Sequence, residues 1–410
     1  MKQTVIIDTG SRLTAFPCIG CTDCGNHMDK YFDFKSSTTS RVVKCDEGIQ
    51  CSVCDKNVCG YSQSYAEGSS ISGILVEDYI LFGDDFPHAH RELGVFGCHR
   101  RETYLFRTQK ADGIMGLGYA KSIPTLIDLL YKSHNINTDL FSICLASNDG
   151  FMTIGGYNIS THISEIIWTN TYDKTFYAIK FKGLSVGDID TGLQESDFPK
   201  NHVTGTIIDS GTTFTYLSKN VYSIMFKYID KYCENSRKCL GSKVIINYEP
   251  NKCYDYNSEN FTKEEFFDSF PILRFFIDDV YVEWMPERYL FAWPETKNSY
   301  CIGMYSNEAS GNVLGGNFMR GMDVIFDRSE KKVGFAKSLC DPSFIHPNYT
   351  SQDYDDTNYY GSLNLNYKIV TLAFLLSLIS IASLLLLIYL RFRKKRSSII
   401  QFSHSNSEEI

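Results

Sequence analysis

A long-range repeat constrains this chain more than any other feature. Val5-Ile6-Ile7-Asp8-Thr9-Gly10-Ser11 recurs as Thr206-Ile207-Ile208-Asp209-Ser210-Gly211-Thr212, a spacing of 209 − 8 = 201 residues. A second pair, Ile114-Met115-Gly116 and Val313-Leu314-Gly315, keeps nearly the same distance from each aspartate, 116 − 8 = 108 and 315 − 209 = 106 residues. Two paired elements at matched offsets predict two lobes of like architecture, each supplying one Asp. The 410-residue length agrees, since single cores stop growing near ~250–300 residues.

Between these repeats the chain reads as short β runs separated by Gly, Asn and Asp turns: Gly73–Val76, Val95–Gly97, Met152–Gly155 and Val324–Phe326. Helical patterns are few, at Ile123–Tyr131 and Val221–Cys233. The expected fold is therefore mostly β. Hydrophobic residues at 43% and charged ones at 21% exclude a disordered chain. A net charge of −8 argues against a nucleic-acid partner, which calls for a basic face.

That charge is unevenly placed. Ile369–Leu390 is a run of 22 uncharged, mostly apolar residues, and a helix of that length spans about 33 Å, enough for a bilayer core. Core helices rarely run so long without a polar stripe. Arg391, Arg393, Lys394, Lys395 and Arg396 follow at once, giving the 391–410 tail +3 and leaving −11 for the rest. By the positive-inside rule the tail is cytosolic and everything before residue 369 lumenal or external. The N-x-[ST] sequons at Asn158, Asn260 and Asn348 are compatible with that side. Residues 346–368, rich in Tyr, Asn, Asp and Ser, read as a polar stalk. Met1–Asp8 carries no apolar signal segment.

Each repeated Asp follows a strand-type run and precedes a small hydroxyl residue and Gly, which permits a sharp turn and close backbone approach. Ser11 and Thr212 are placed to orient the carboxylates. If the lobes pack with pseudo-two-fold symmetry, the two loops meet, and carboxylates ~3 Å apart share one proton. One then activates a water while the other polarises a carbonyl, which needs neither metal nor cofactor. Either triplet alone would usually be no more than a strand-closing turn; the duplication points to catalysis.

Asp8-Thr9-Gly10-Ser11, Asp209-Ser210-Gly211-Thr212 and Ala111-Asp112-Gly113-Ile114-Met115-Gly116-Leu117-Gly118 resemble the pepsin-like aspartic proteases over roughly residues 4–340. The resemblance implies a bilobal β fold, a cleft for polypeptide substrates, catalytic Asp8 and Asp209, and a hairpin flap whose tyrosine maps on Tyr65. The expected organisation is an N-terminal lobe at 1–165, with a Cys-rich insert at 18–59 and a flap at 61–76, a C-terminal lobe at 166–345, then the stalk, a transmembrane helix at 369–390 and the tail at 391–410. The cysteine run from Cys18 to Cys24, a second cluster of Cys45, Cys51, Cys54 and Cys59, and the anchor make the chain similar to the plasmepsin V-like branch. These are membrane-bound proteases of the apicomplexan early secretory pathway with a nepenthesin-type insert. That branch cleaves export signals with an Arg-x-Leu core after the Leu. Within it an acidic residue following a His-Met pair, and polar flap residues, recognise the Arg, which nominates Asp29, after His27-Met28, and next Glu67. The competing expectation is a catalytically silent pepsin-like receptor or peptide-binding ectodomain; two retained aspartates with both hydroxyl partners disfavour it.

Cys18-x2-Cys21 and Cys51-x2-Cys54 also have zinc-site spacing, but disulfides persist on the lumenal side. Cys18–Cys59 holds seven cysteines and Cys98 makes eight, so this lobe can pair fully with its connectivity open. Cys253–Cys301 resembles a pair near the end of pepsin-like enzymes, Cys233–Cys239 would close a small loop, and Cys144–Cys340 is left over. Arg12 stands where many family members have Ser or Thr. Pepsin-like proteases carry about thirty or more residues before the first catalytic Asp, whereas seven precede Asp8 here; a truncated start is the expectation, and with it poor folding of the isolated chain.

Overall fold

Val5–Asp8 pairs in parallel with Gly113–Gly116, and Ala15–Pro17 runs antiparallel to that same strand through Ala15 and Ile114. The arrangement is repeated in the second half. Thr206–Ile208 pairs in parallel with Asn312–Leu314, and Thr215–Ser218 meets that strand antiparallel through Tyr216 and Val313. Both antiparallel contacts lie seven residues beyond the aspartate, 15 − 8 and 216 − 209. The repeated sequence is thus a repeated threading, with each aspartate ending a strand that runs beside its partner. These relations come from a computed structural model. It describes residues 1–342 apart from 83–89, 199–204, 237–238, 247–251, 278–279, 295, 297 and 308–310. Residues 1–341 form one compact unit.

The first-half strands belong to an eight-stranded sheet, whose largest part is a hairpin of Ser70–Phe82 and His90–Glu102. Register shifts at Ser72/Gly73. There the Cys98 carbonyl oxygen approaches within 1.9 Å of where a Cβ of Gly73 would stand, so only glycine fits. The second half builds a five-stranded sheet around Thr206–Ile208 and two four-stranded ones. The two helical patterns form helices, at Leu126–Lys132 and Lys219–Ser236. The first begins later than its apolar period suggests because Thr125 caps it. Thr125 Oγ1 accepts from Asp128 N while the Asp128 carboxylate accepts from Thr125 N, a reciprocal cap after Pro124.

A further five-stranded sheet joins the halves. Its order is Gly150–Ile154, Leu140–Leu145, Met322–Asp327, Lys332–Lys337, Ile167–Asn170. The last described strands therefore return between strands that lie some 180 residues earlier, as in the pairing of Val324 with Ile143. Phe141 and Phe326 stack at 4.8 Å beneath Tyr177, and burying each large side chain contributes about 1.5–3 kcal/mol. Arg328, also buried there, is held by Asp128 and Asp139.

All fourteen cysteines are in disulfides. Cys18–Cys98, Cys21–Cys24, Cys45–Cys54 and Cys51–Cys59 tie the insert to itself and to the hairpin. Cys144–Cys340, Cys233–Cys239 and Cys253–Cys301 complete the set. Neither zinc-spaced pair is left as free thiols. Among the described residues no helix is long and apolar enough to cross a membrane. Ile369–Leu390, the 346–368 stalk, the 391–410 tail and Asn348 lie outside the described residues.

Candidate active site

Strand Val5–Asp8 delivers Asp8 to its C-terminal end, where Leu117 N donates to Asp8 O at 2.8 Å and Gly118 N to Ser11 O at 2.8 Å. In the other half Asp209 N donates to Leu314 O at 3.0 Å and Gly316 N to Thr212 O at 2.7 Å. The two loops then lock together. Thr9 Oγ1 donates to Ile208 O (3.0 Å) and accepts from Ser210 N (3.0 Å). Ser210 Oγ donates to Ile7 O (2.7 Å) and accepts from Thr9 N (3.1 Å). Each hydroxyl thus serves as donor and acceptor across the halves, which is why a small hydroxyl residue follows each Asp.

The glycines have a steric reason. A Cβ on Gly10 would lie 2.6 Å from the Asp209 Cγ, and one on Gly211 would lie 2.4 Å from Asp8 Oδ1. Each glycine backs onto the opposite carboxyl, so the aspartates face each other and Asp8 feels the Asp209 charge. Gly10 N donates to Asp8 Oδ1 (2.8 Å), Gly211 N to Asp209 Oδ1 (2.9 Å), and Thr212 Oγ1 to Asp209 Oδ2 (2.6 Å). Ser11 differs from Thr212: its buried Oγ makes no hydrogen bond of regular geometry, yet it lies by Asp8 and pulls its titration down. Asp8 is only 4% exposed. Burial first, and the Asp209 charge second, push its pKa up to about 8. One proton therefore stays on the pair at neutral pH, the state in which one carboxyl can donate while the other accepts.

Tyr65 sits at the turn between Val58–Ser64 and Ser70–Phe82. The turn closes through Tyr65 N to Ser69 O (2.9 Å) and Gly68 N to Tyr65 O (3.0 Å), with Gly68 at φ +95°. The Tyr65 ring packs on Phe106 at 4.9 Å. Its hydroxyl is buried without a hydrogen bond, and burial, then the charge of Asp8, pushes its titration up. Glu67 is exposed and accepts from Ser69 Oγ. Its charge reaches two tyrosines, Tyr65 and, across the cleft, Tyr216, whose titration burial raises first and Glu67 second.

Asp29 is not brought to the pair. Its Oδ2 accepts from Thr4 Oγ1 (2.7 Å), and its N donates to Asp112 Oδ1 (2.9 Å), at the end of Val5–Asp8 remote from Asp8. Arg12 reaches the other half: its Nη2 donates to Thr175 O (3.3 Å) and its guanidinium lies 5.4 Å from the Phe176 ring. Two further supports are buried. Asn317 is buried, accepts from Thr215 Oγ1 (2.9 Å) and donates to Gly303 O (2.8 Å), bracing the segment after Asp209. Glu102 is buried between His27 and His99 beneath the flap. A lone Glu in strand-rich sequence carries no motif. The His27 signal was its place just after the cysteine run.

Residues 1–338 match the eukaryotic aspartyl protease family. The chain is similar to aspartic protease 5 of Toxoplasma gondii, 28% identical over 84% of this chain and 35% of that protein. It is also similar to plasmepsin V of Plasmodium falciparum isolate 3D7, 26% identical over 83% of this chain and 69% of that one. Nepenthesin-1 of Nepenthes gracilis is 26% identical over 83% of this chain and 75% of the plant protein. The chain thus spans about a third of the Toxoplasma relative's length. With two Asp-Thr/Ser-Gly loops interlocked at the meeting of two repeated β lobes, the chain belongs to the eukaryotic aspartyl protease family, as a pepsin-like member.

Proposed function

We propose that this chain is a membrane-anchored aspartic endopeptidase of the early secretory pathway, with Asp8 and Asp209 as the catalytic pair. The observation that carries it is the facing of these two carboxyls, with Asp8 held protonated by burial and by its neighbour. A water between them loses its proton to the ionised carboxyl while attacking the substrate carbonyl, and the protonated carboxyl donates to the carbonyl oxygen. The resulting tetrahedral diol collapses as the leaving amine takes a proton back. Ser11, Thr212 and the interlocked Thr9 and Ser210 hold the pair in register. Tyr65 closes over the substrate and excludes water. Fourteen paired cysteines support a lumenal site, where disulfides persist.

Substrate preference is assigned to sequences with an Arg-x-Leu core, cut after the Leu. What supports this is likeness to plasmepsin V together with an acidic flap residue. Glu67, whose charge is felt on both sides of the cleft, is better placed than Asp29 to meet a guanidinium there. Glu67→Gln is expected to raise KM for an Arg-x-Leu peptide by about tenfold or more, as charge-assisted bonds contribute about 1.5–3 kcal/mol. KM for the Arg-to-Ala peptide should not change, and equal effects on both peptides would reject the assignment. Mass-spectrometric mapping of the cut bond checks the site itself; cleavage elsewhere than after Leu removes this specificity.

The pH profile follows from Asp8. The pair holds its single proton below about 8 and loses it above. The kcat/KM profile should therefore show an alkaline limb with a midpoint near that value. The same shift bears on stability. The folded state keeps a proton that an unfolded Asp releases near ~4. This contribution is complete below that value and lost as pH rises through about 8. Asp8→Asn should flatten this part of the Tm-versus-pH curve; an unchanged slope would refute the assignment.

A further inference from the structure

We propose that Glu102 is a positioning residue for the flap, tying the Cys-rich insert to the flap root through His27 and His99. The inference rests on the protease reading above but concerns a carboxylate whose partners are Gly25, His27 and His99 rather than the aspartate pair. Glu102 and both imidazoles have fully buried side chains. Glu102 Oε2 accepts from Gly25 N (2.9 Å) and faces His27 Nε2 (2.9 Å), while Oε1 faces His99 Nδ1 (2.7 Å). His27 Nδ1 faces the Gln109 carbonyl oxygen at 3.2 Å. Both ring nitrogens of His27 therefore have an oxygen partner, Nε2 the Glu102 carboxylate and Nδ1 the Gln109 carbonyl, which fixes the ring between insert and hairpin. His99 places its hydrogen on Nδ1, and its buried Nε2 has no hydrogen bond.

The remaining groups around the carboxylate are Tyr31 and Tyr61, whose titration burial raises first and the Glu102 charge further. Asp23 beside it is turned outward to Arg101 and Arg107. Burial opposes ionisation of Glu102, but the bonds from His99, Gly25 and His27 outweigh it and hold its carboxyl below the usual range.

From this centre two connections reach the flap. Thr103, the next residue, donates N to Ser70 O (3.0 Å) and accepts from Ser70 N on Oγ1 (2.8 Å), gripping the first residue of the returning flap strand. The His99 ring meets Phe106 edge-on at 6.2 Å, and Phe106 carries Tyr65 at 4.9 Å. The chain between Thr103 and Phe106 passes Tyr104 at φ +46°, a conformation that non-glycine residues adopt only when their neighbours are held. On the insert side, Gly25 lies flat against the Arg107 backbone, where a Cβ would stand 2.0 Å from the carbonyl oxygen. Glu102 thus adds a buried carboxylate link among three segments that also meet through the Cys18–Cys98 disulfide, the Thr103–Ser70 pair and the Asp23 ion pairs.

Glu102→Gln tests this. An amide removes the negative charge on which three donors converge and turns one of its two acceptor ends into a donor, so the link is weakened. With an Arg-x-Leu peptide at pH 7, KM should rise about fivefold or more while kcat stays within about twofold. Hydrogen exchange should quicken in peptides covering residues 61–76 and stay unchanged in the central strand Leu140–Leu145. If that variant does not fold, His99→Gln carries the same readouts, since it keeps a donor for Glu102 but removes the ring beneath Phe106. KM and flap exchange within about twofold of wild type in whichever variant folds would overturn the proposal. So would loss of kcat with KM unchanged. Absence of cleavage by the wild-type chain would instead overturn the protease reading, leaving the flap-exchange comparison to decide this one.

Discussion

Asparagine at position 209 is expected to reduce peptide hydrolysis by about three to four orders of magnitude, close to the full contribution of a positioned acid–base group. The substitution is nearly isosteric. Its carboxamide oxygen can still accept from Gly211 N, which reaches Asp209 Oδ1 at 2.9 Å, so the loop should keep its shape. What is lost is the second carboxyl. An amide neither takes a proton from water nor passes one to the carbonyl oxygen, and the Asp209 charge that helps retain a proton on Asp8 disappears. Single-turnover cleavage should collapse while the Kd for uncleaved peptide changes by less than about threefold. Retention of more than about a tenth of the activity would mean that the pair does not carry the reaction; peptide binding without cleavage by the wild-type chain would favour a peptide-binding ectodomain.

The largest stability effect should come from Cys144–Cys340, which links residues 196 apart and ties the central sheet's early strand to the end of the described chain. In the chain-entropy account, replacing both by Ser removes about 5 kcal/mol. The same treatment of Cys233–Cys239, six residues apart, removes about 2.5 kcal/mol. Urea unfolding of the two double variants should show the first with the lower midpoint and an unfolding free energy smaller by about 2–3 kcal/mol. A folded domain has only about 5–15 kcal/mol in total, so the first variant should be marginal at 37 °C. Equal losses would indicate that native packing around Ser338, whose hydroxyl lies 3.2 Å from Cys144 Sγ, rather than loop length, sets the effect.

The parts legible beforehand are those whose physics is local. A strand ending in Asp, a small hydroxyl and a glycine is one loop, and its recurrence at 209 announced the second. The glycine is required because the opposite carboxyl fills its Cβ space, and the hydroxyl because it bonds across the pair. The Tyr65 turn was implied by the family resemblance, and Gly68 fits it by supplying a positive φ. Asp29 shows where this stops. Its place after His27-Met28 said nothing of direction, and the fold turns it to Thr4, at the far end of the strand from Asp8.

The sequence by itself pointed to two like lobes and a pair of aspartates, because a short motif recurs at a matched spacing, and to a flap through its resemblance to the family. Tertiary structure alone decided three things. It set which cysteines of the insert pair, how the final strands return between 140–145 and 167–170, and how far Asp8 is lifted above an ordinary carboxyl. All three depend on groups distant in the chain. Strand pairing and disulfide partners are chosen by loop closure against competing partners. A carboxyl's proton affinity is set by the water it loses and by the charge facing it, and neither exists until the two halves meet.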